Sequence, residues 1–137
     1  VNYAFVDTLY WVALSLPGDP WYKPSIAAFD LLKNVKLVTT EEVLAEYLTA
    51  MASSSDFYRS SAAAAVRDLL ADPSIIVVPS GHKNFLNGLT LYEQRSDKRY
   101  SLIDCISMNV CRTMAIERVL TNDRHFEQEG FQVLIRR

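Results

Sequence analysis

At 137 residues, half of them apolar and 22% charged, the chain has the composition of one soluble domain that can bury a core without disulfide or metal staples. Four glycines and five prolines exclude collagen-like or linker-rich character, the apolar fraction excludes disorder, and no apolar run nears the roughly 18 residues of a membrane span. A net charge of −2 excludes a passive polyanion binder with a broad basic face; a nucleic-acid contact would have to be local and metal-bridged.

In chain order, Tyr3 to Val6 reads as a short strand ending at Asp7, and Thr8 to Leu16 as an almost wholly apolar, mostly buried helix. Pro17-Gly18-Asp19-Pro20 is a turn. Trp21 to Lys33 contains a second helix with Pro24 in its first turn and Ile26, Phe29 and Leu32 on one stripe. A strand over Val35 to Val38 precedes a helix capped by Thr40 and running to about Ala52, and Ser53-Ser54-Ser55 breaks it before a long helix from Asp56 to about Leu70. The continuous β-branched run Ile75 to Val78 predicts a strand buried on both faces. A helix from Ser80 to about Gln94 carries Phe85, Leu89 and Tyr92 at helical spacing, and a charged connector over residues 95–100 follows. The chain closes with a helix over Leu102 to Ala115, a strand over Arg118 to Leu120, a helical turn over Arg124 to Glu127 and a strand over Phe131 to Ile135. This alternation predicts an α/β fold, one domain over residues 1–137, with a mainly parallel central sheet of four to five strands flanked by helices.

Cys105 and Cys111, six apart on one predicted helix, point in different directions and read as buried small apolar residues in a reducing, cytoplasmic setting. A secretory leader is not expected, because no basic residue precedes Lys23 and Asp7 interrupts the first apolar run. His82 and His125 lack a partner at zinc-ligand spacing.

The carboxylates carry the chemical information. Asp7 and Asp123 follow strand ends, and Asp104 stands in the first turn of the helix after Ser101. In parallel sheets that end borders the ligand crevice, so three acids converge where a cation could sit. Each also has a plainer explanation: Asp7 and Asp123 precede helices as N-caps do, and Ser101-Leu102-Ile103-Asp104 has capping-box spacing. Glu46 is not explained by capping. It lies at the edge of an apolar helix face, as either a site residue or a solvated rim glutamate. Glu41 and Glu42 read as acids favoured by the helix dipole.

The segments Phe5-Val6-Asp7-Thr8, Val43-Leu44-Ala45-Glu46, Ser101-Leu102-Ile103-Asp104 and Leu120-Thr121-Asn122-Asp123-Arg124-His125-Phe126 stand in the order found in PIN-domain ribonucleases. Along its whole length the chain resembles that family, and within it the VapC-type toxins of toxin–antitoxin pairs. The resemblance implies a divalent-metal-dependent endoribonuclease in which Asp7, Glu46, Asp104 and Asp123 hold Mg²⁺ or Mn²⁺, with Thr8 and Thr121 as helper hydroxyls and Asn122 as a looser accessory. It further implies an RNA substrate, a cognate antitoxin and a homodimer. Lys98 and Arg124, beside these acids in sequence, are candidate phosphate contacts. Four crowded carboxylates would repel unless a hard cation neutralised them, which agrees with that implication.

Rival phosphoryl-transfer folds fit less well. A dehalogenase-type phosphatase needs an aspartate where Leu9 stands, and neither the Rossmann nor the P-loop glycine motif occurs. The alternative of another class is a non-catalytic RNA- or protein-binding module on the same fold.

Overall fold

The first strand is the centre of the molecule. In β1 (Tyr3–Val6), Ala4, Phe5 and Val6 are completely buried, because strands flank it on both edges and helices cover its faces. The computed structural model describes residues 2–136, and within them β1 is followed by α1 (Thr8–Ser15), α2 (Tyr22–Asp30), β2 (Lys36–Thr40), α3 (Glu41–Met51), α4 (Asp56–Ala71), β3 (Ile75–Val78), α5 (His82–Gln94), α6 (Leu102–Thr113), β4 (Arg118–Leu120), α7 (Arg124–Gln128) and β5 (Gln132–Val133). The five strands form one all-parallel sheet in the order β3-β2-β1-β4-β5. Phe5 pairs with Val38 on one side and Val119 on the other. The chain therefore builds outward from β1 through β2 to β3, then returns past β1 to lay down β4 and β5. The reversal falls between β1 and β4, where open α/β sheets form their crevice.

Several elements depart from the expected bounds for local reasons. β2 runs to Thr40 rather than Val38, because Thr39 and Thr40 pair with Val77 and Val78 and Thr39 Oγ1 donates to the Val6 carbonyl at 2.9 Å. Thr40 then serves twice, as strand end and as the cap that accepts from the Val43 N–H. β3 is only half-buried, not buried on both faces; it is an edge strand, and a β-branched run marks a strand without marking its place in the sheet. α5 starts after Gly81, because the Ser80 N–H and hydroxyl both donate to Glu41 Oε1 instead of capping. β5 is shorter than the expected Phe131–Ile135, although the Leu134 and Ile135 N–H groups continue bonding to Val119 and Thr121 carbonyls.

Two helix ends aim the last strands. After α6 the Ala115 N–H donates to Arg112 and the Ile116 N–H to the Cys111 carbonyl at 2.8 Å, with Ala115 at φ 55°. After α7 the Gly130 and Phe131 N–H groups bond to Glu127 and Phe126 carbonyls, with Gly130 at φ 96°. Both are Schellman turns, and the second carries its usual apolar contact, Phe126 against Phe131 with ring centres 6.1 Å apart. Each turn sends the chain directly into a strand.

The core joins Phe5, Val38, Tyr47, Met51, Met108, Leu120 and Phe126, side chains worth about 1.5–3 kcal/mol each when buried. α5 behaves differently from its pattern. Phe85, Leu89 and Tyr92 are 39–50% exposed, and the helix packs on α6 through Gly88 and Leu91 instead. A Cβ at Gly88 would stand 2.5 Å from Ile106 Cγ1, so the absence of a side chain is what lets the two helices approach. Gly88→Ala should therefore lower stability by about 1–2 kcal/mol in a urea titration, because overpacking outweighs alanine's helix preference of about 1 kcal/mol. A stability gain would show that α5 and α6 do not pack this closely.

Candidate functional site

Asp7 is the first residue beyond β1, and its N–H prolongs the sheet by donating to the Leu120 carbonyl at 3.3 Å. Its side chain does not cap α1, although it occupies the cap position. Instead Thr121 Oγ1 donates to Asp7 Oδ2 at 2.9 Å, and the same Thr121 oxygen accepts from the Asp123 N–H at 3.1 Å. One fully buried hydroxyl thus ties the acid after β1 to the acid after β4. Across the crevice, Thr8 Oγ1 donates to Oε1 of Glu46, which projects from the second turn of α3.

The other two acids do cap. Ser101 Oγ accepts from the Asp104 N–H at 3.0 Å while Asp104 Oδ2 accepts from the Ser101 N–H at 3.3 Å, a complete capping box. Asp123 Oδ1 accepts from the His125 N–H at 2.9 Å. Neither role exhausts the carboxylate: each acid keeps an oxygen that caps nothing. Asp104, Asp123 and His125 offer ligand atoms that all lie within 4.8 Å of one another.

The electrostatics join the four acids. Burial pushes the Asp7 carboxyl up from 3.8 to about 7, with the negative charges of Asp104 and Glu46 adding to it and hydrogen bonds from the Thr8 N–H and Thr121 opposing it. Asp104 is also raised, first by burial and then by the charges of Asp123 and Glu46. Among the described residues, no lysine or arginine lies within ion-pair distance of these acids. The cations that could have served are engaged elsewhere. Arg95 and Arg112 grip Glu129 at 2.6 and 2.9 Å, and although burial raises that carboxyl, their hydrogen bonds and charges bring it below its ordinary value.

The remaining expected site residues fall outside this cluster. The Asn122 amide donates to the Ile135 carbonyl at 2.6 Å and ties down the C-terminal segment. Lys98 stands 4.0 Å from Asp97 and Arg124 3.9 Å from Glu127, both exposed. Tyr10 and Trp11 are core residues, and both cysteines are buried free thiols whose ionisation burial pushes upward, so neither is a nucleophile. What sequence reasoning missed is His125. An aspartate at a helix cap with a histidine two residues on puts the ring back over the carboxylate, and that spacing was the available signal. Four carboxyls without a lysine or arginine partner, beside a buried His125 Nδ1 that has no hydrogen bond, make a donor set suited to a hard divalent ion.

An acid raised in the folded state holds its proton longer there than in the unfolded chain, so its contribution to stability falls as pH rises from about 4 through about 7. Asp7→Asn removes that loss. In EDTA at pH 8 it should stabilise the protein by about 2 kcal/mol, half the ceiling of about 4 kcal/mol set by the shift, and the gain should vanish near pH 4. Thermal melts of both forms at the two pH values decide it; a pH-independent difference would mean that Asp7 is not desolvated.

The comparisons with known proteins bear on the family and the fold. The family model described as the PIN domain matches residues 4–131. VapC20 of Mycobacterium tuberculosis, described as a sarcin–ricin-loop-cleaving toxin, is structurally similar with a TM-score of 0.85 at 22% identity, over 97% of this chain and 99% of that one. FitAcB of Neisseria gonorrhoeae is similar with a TM-score of 0.67 at 14% identity, over 96% of each chain. No curated protein sequence matches the chain. With the family model covering nearly the whole length, and with acids gathered where its parallel sheet reverses, the chain belongs to the PIN-domain family.

Proposed function

We propose that the protein is a divalent-metal-dependent endoribonuclease and the toxin of a toxin–antitoxin pair. The observation that carries the reading is the Asp7–Thr121–Asp123 link at the sheet's reversal point. Asp104 and Glu46 lie close enough to disfavour ionisation of Asp7, and no lysine or arginine among the described residues neutralises the group. The likeness to a toxin that cleaves the sarcin–ricin loop supports the choice of RNA as substrate.

In this reading Asp7, Glu46, Asp104 and Asp123 hold Mg²⁺ or Mn²⁺. When bound, the ion supplies a more acidic water and offsets charge on the phosphodiester. The chain's own part is to position. Thr121 fixes Asp7 relative to Asp123, and Thr8 fixes the Glu46 carboxylate from the opposite side. The capping box holds Asp104 rigidly at the start of α6. No side chain serves as nucleophile; water attacks in line and leaves a 5′-phosphate on the downstream fragment. Arg124, largely exposed beside Asp123, and Lys98 contact backbone phosphates.

A cognate antitoxin covers the acidic crevice, and a homodimer in the cytoplasm is the working state. No helix among the described residues is long and apolar enough to cross a membrane.

Asp104→Asn and Glu46→Gln should each reduce RNA cleavage in Mg²⁺ or Mn²⁺ by at least about a hundredfold while preserving the circular dichroism spectrum, since each keeps shape and loses the charge that binds cation. EDTA should abolish cleavage by the unmodified protein. Full activity in EDTA, or in both variants, would overturn the metal-dependent mechanism, and no cleavage by the unmodified protein in either ion would leave only a binding module on this fold.

A further inference from the structure

Building on the metal-dependent reading above, we infer that His125 is a nitrogen ligand of that same centre and biases it toward Mn²⁺ over Mg²⁺. The starting observation is an orphaned atom. His125 Nδ1 is buried and makes no hydrogen bond, although Asp123 Oδ1 lies 3.3 Å away and Asp104 Oδ2 3.7 Å away. Leaving a buried polar group unpaired costs about 1–3 kcal/mol, and here two strong acceptors stand beside it without closing the bond. A cation between the three groups resolves this, since it takes an electron pair from each at once.

The spacing suits that arrangement. Around an octahedral ion with donors at about 2.1 Å, neighbouring ligand atoms lie about 3.0 Å apart and opposite ones about 4.2 Å apart. The separations from Nδ1 to the two carboxylates fall between these values. A plain histidine–carboxylate bond is the rival explanation. Against it, Nδ1 makes no hydrogen bond to either carboxylate, although Asp123 Oδ1 stands 3.3 Å away.

The ring is also held in place before any ion arrives. It packs on Tyr100 with ring centres 5.3 Å apart, and Tyr100 is buried with its hydroxyl donating to Glu129 Oε1 at 3.4 Å. Glu129 is fixed in turn by Arg95 and Arg112. The next residue, Phe126, is completely buried and anchors the backbone. This is the support that a ligating imidazole needs from its surroundings. The choice of ion follows from donor chemistry. Mg²⁺ prefers oxygen donors and retains its waters, whereas Mn²⁺ accepts an imidazole alongside carboxylates.

The test uses the full chain, stripped with EDTA and reloaded with Mn²⁺ or Mg²⁺ alone. Pulsed electron paramagnetic resonance of the Mn²⁺-loaded protein should show ¹⁴N modulation from a directly bound ring nitrogen. In His125→Phe, which keeps the packing on Tyr100, and in His125→Gln, that modulation should disappear. Their Mn²⁺ dissociation constants should rise about tenfold or more while those for Mg²⁺ change by less than about threefold. Absence of ¹⁴N modulation in the unmodified protein overturns the inference, as do Mn²⁺ affinities within about threefold of wild type in both variants. Because the spectrum is read on the unmodified chain, a misfolded variant leaves that measurement decisive. If the protein binds Mn²⁺ without a nitrogen signal, only the role of His125 fails; if it binds neither ion, the metal-dependent function fails with it.

Discussion

A carboxyl group withdrawn from water at the end of the central strand is the constraint around which this molecule is arranged. Asp7 is held by the sheet itself, through its own N–H on Leu120, and by a hydroxyl delivered from the far side of the chain. No lysine or arginine among the described residues pairs with it. The neighbouring acids worsen its position, since each further negative charge in a poorly solvated crevice makes ionisation harder. Such an arrangement is unfavourable for the isolated fold, and an opposite charge bound in the crevice would recover the loss. The same logic accounts for the arginines at Glu129. A second buried acid in the same molecule is neutralised by two guanidinium groups, so the chain has cations for structural purposes and keeps them away from the crevice.

Much of this is legible in the sequence alone. Short continuous apolar runs mark the strands and stripes at 3.6-residue spacing mark the helices, because a strand of a parallel sheet is covered on both faces and a helix on one. The acids at strand ends are readable for the same reason, since parallel topology fixes which end of each strand shares a crevice. What stays hidden depends on tertiary placement. Ile75 to Val78 is equally apolar in the middle of a sheet or at its edge, and only the winding order puts it at the edge. The apolar stripe of α5 stays half-exposed because the helix meets α6 along the neighbouring line of Gly88 and Leu91, where the missing side chain of Gly88 lets Ile106 approach. Ser80 looks like a cap until Glu41, 39 residues away, takes both of its donors.

Capping and site membership, which compete as explanations when the sequence is read alone, are not exclusive in the folded chain. Asp104 completes its capping box and still reaches the crevice, because a carboxylate has two oxygens and the start of α6 lies at the sheet's reversal point. The cap supplies rigidity, and the carboxylate keeps lone pairs beyond those its N–H donors use, so it stays available for chemistry. Asp123 combines the two duties in the same manner. Asp7 shows the converse: it occupies the cap position of α1 without a capping hydrogen bond, and its carboxylate is bound by the Thr121 hydroxyl and the Thr8 N–H instead.

The pairing of β1 with β4 has a consequence for how the crevice comes into being. Phe5 and Val119 are neighbours in the sheet but stand 114 residues apart in the chain, as do Asp7 and Thr121. The helix ends that launch β4 and β5, by contrast, are closed by bonds between residues no more than five apart. Local structure around Asp104 and Asp123 can therefore form early at little entropic expense, whereas joining Asp7 to them requires closing a loop that spans most of the molecule. A nascent or partly unfolded chain holds the pieces of the crevice without the crevice, so whatever chemistry resides there is confined to the fully assembled domain.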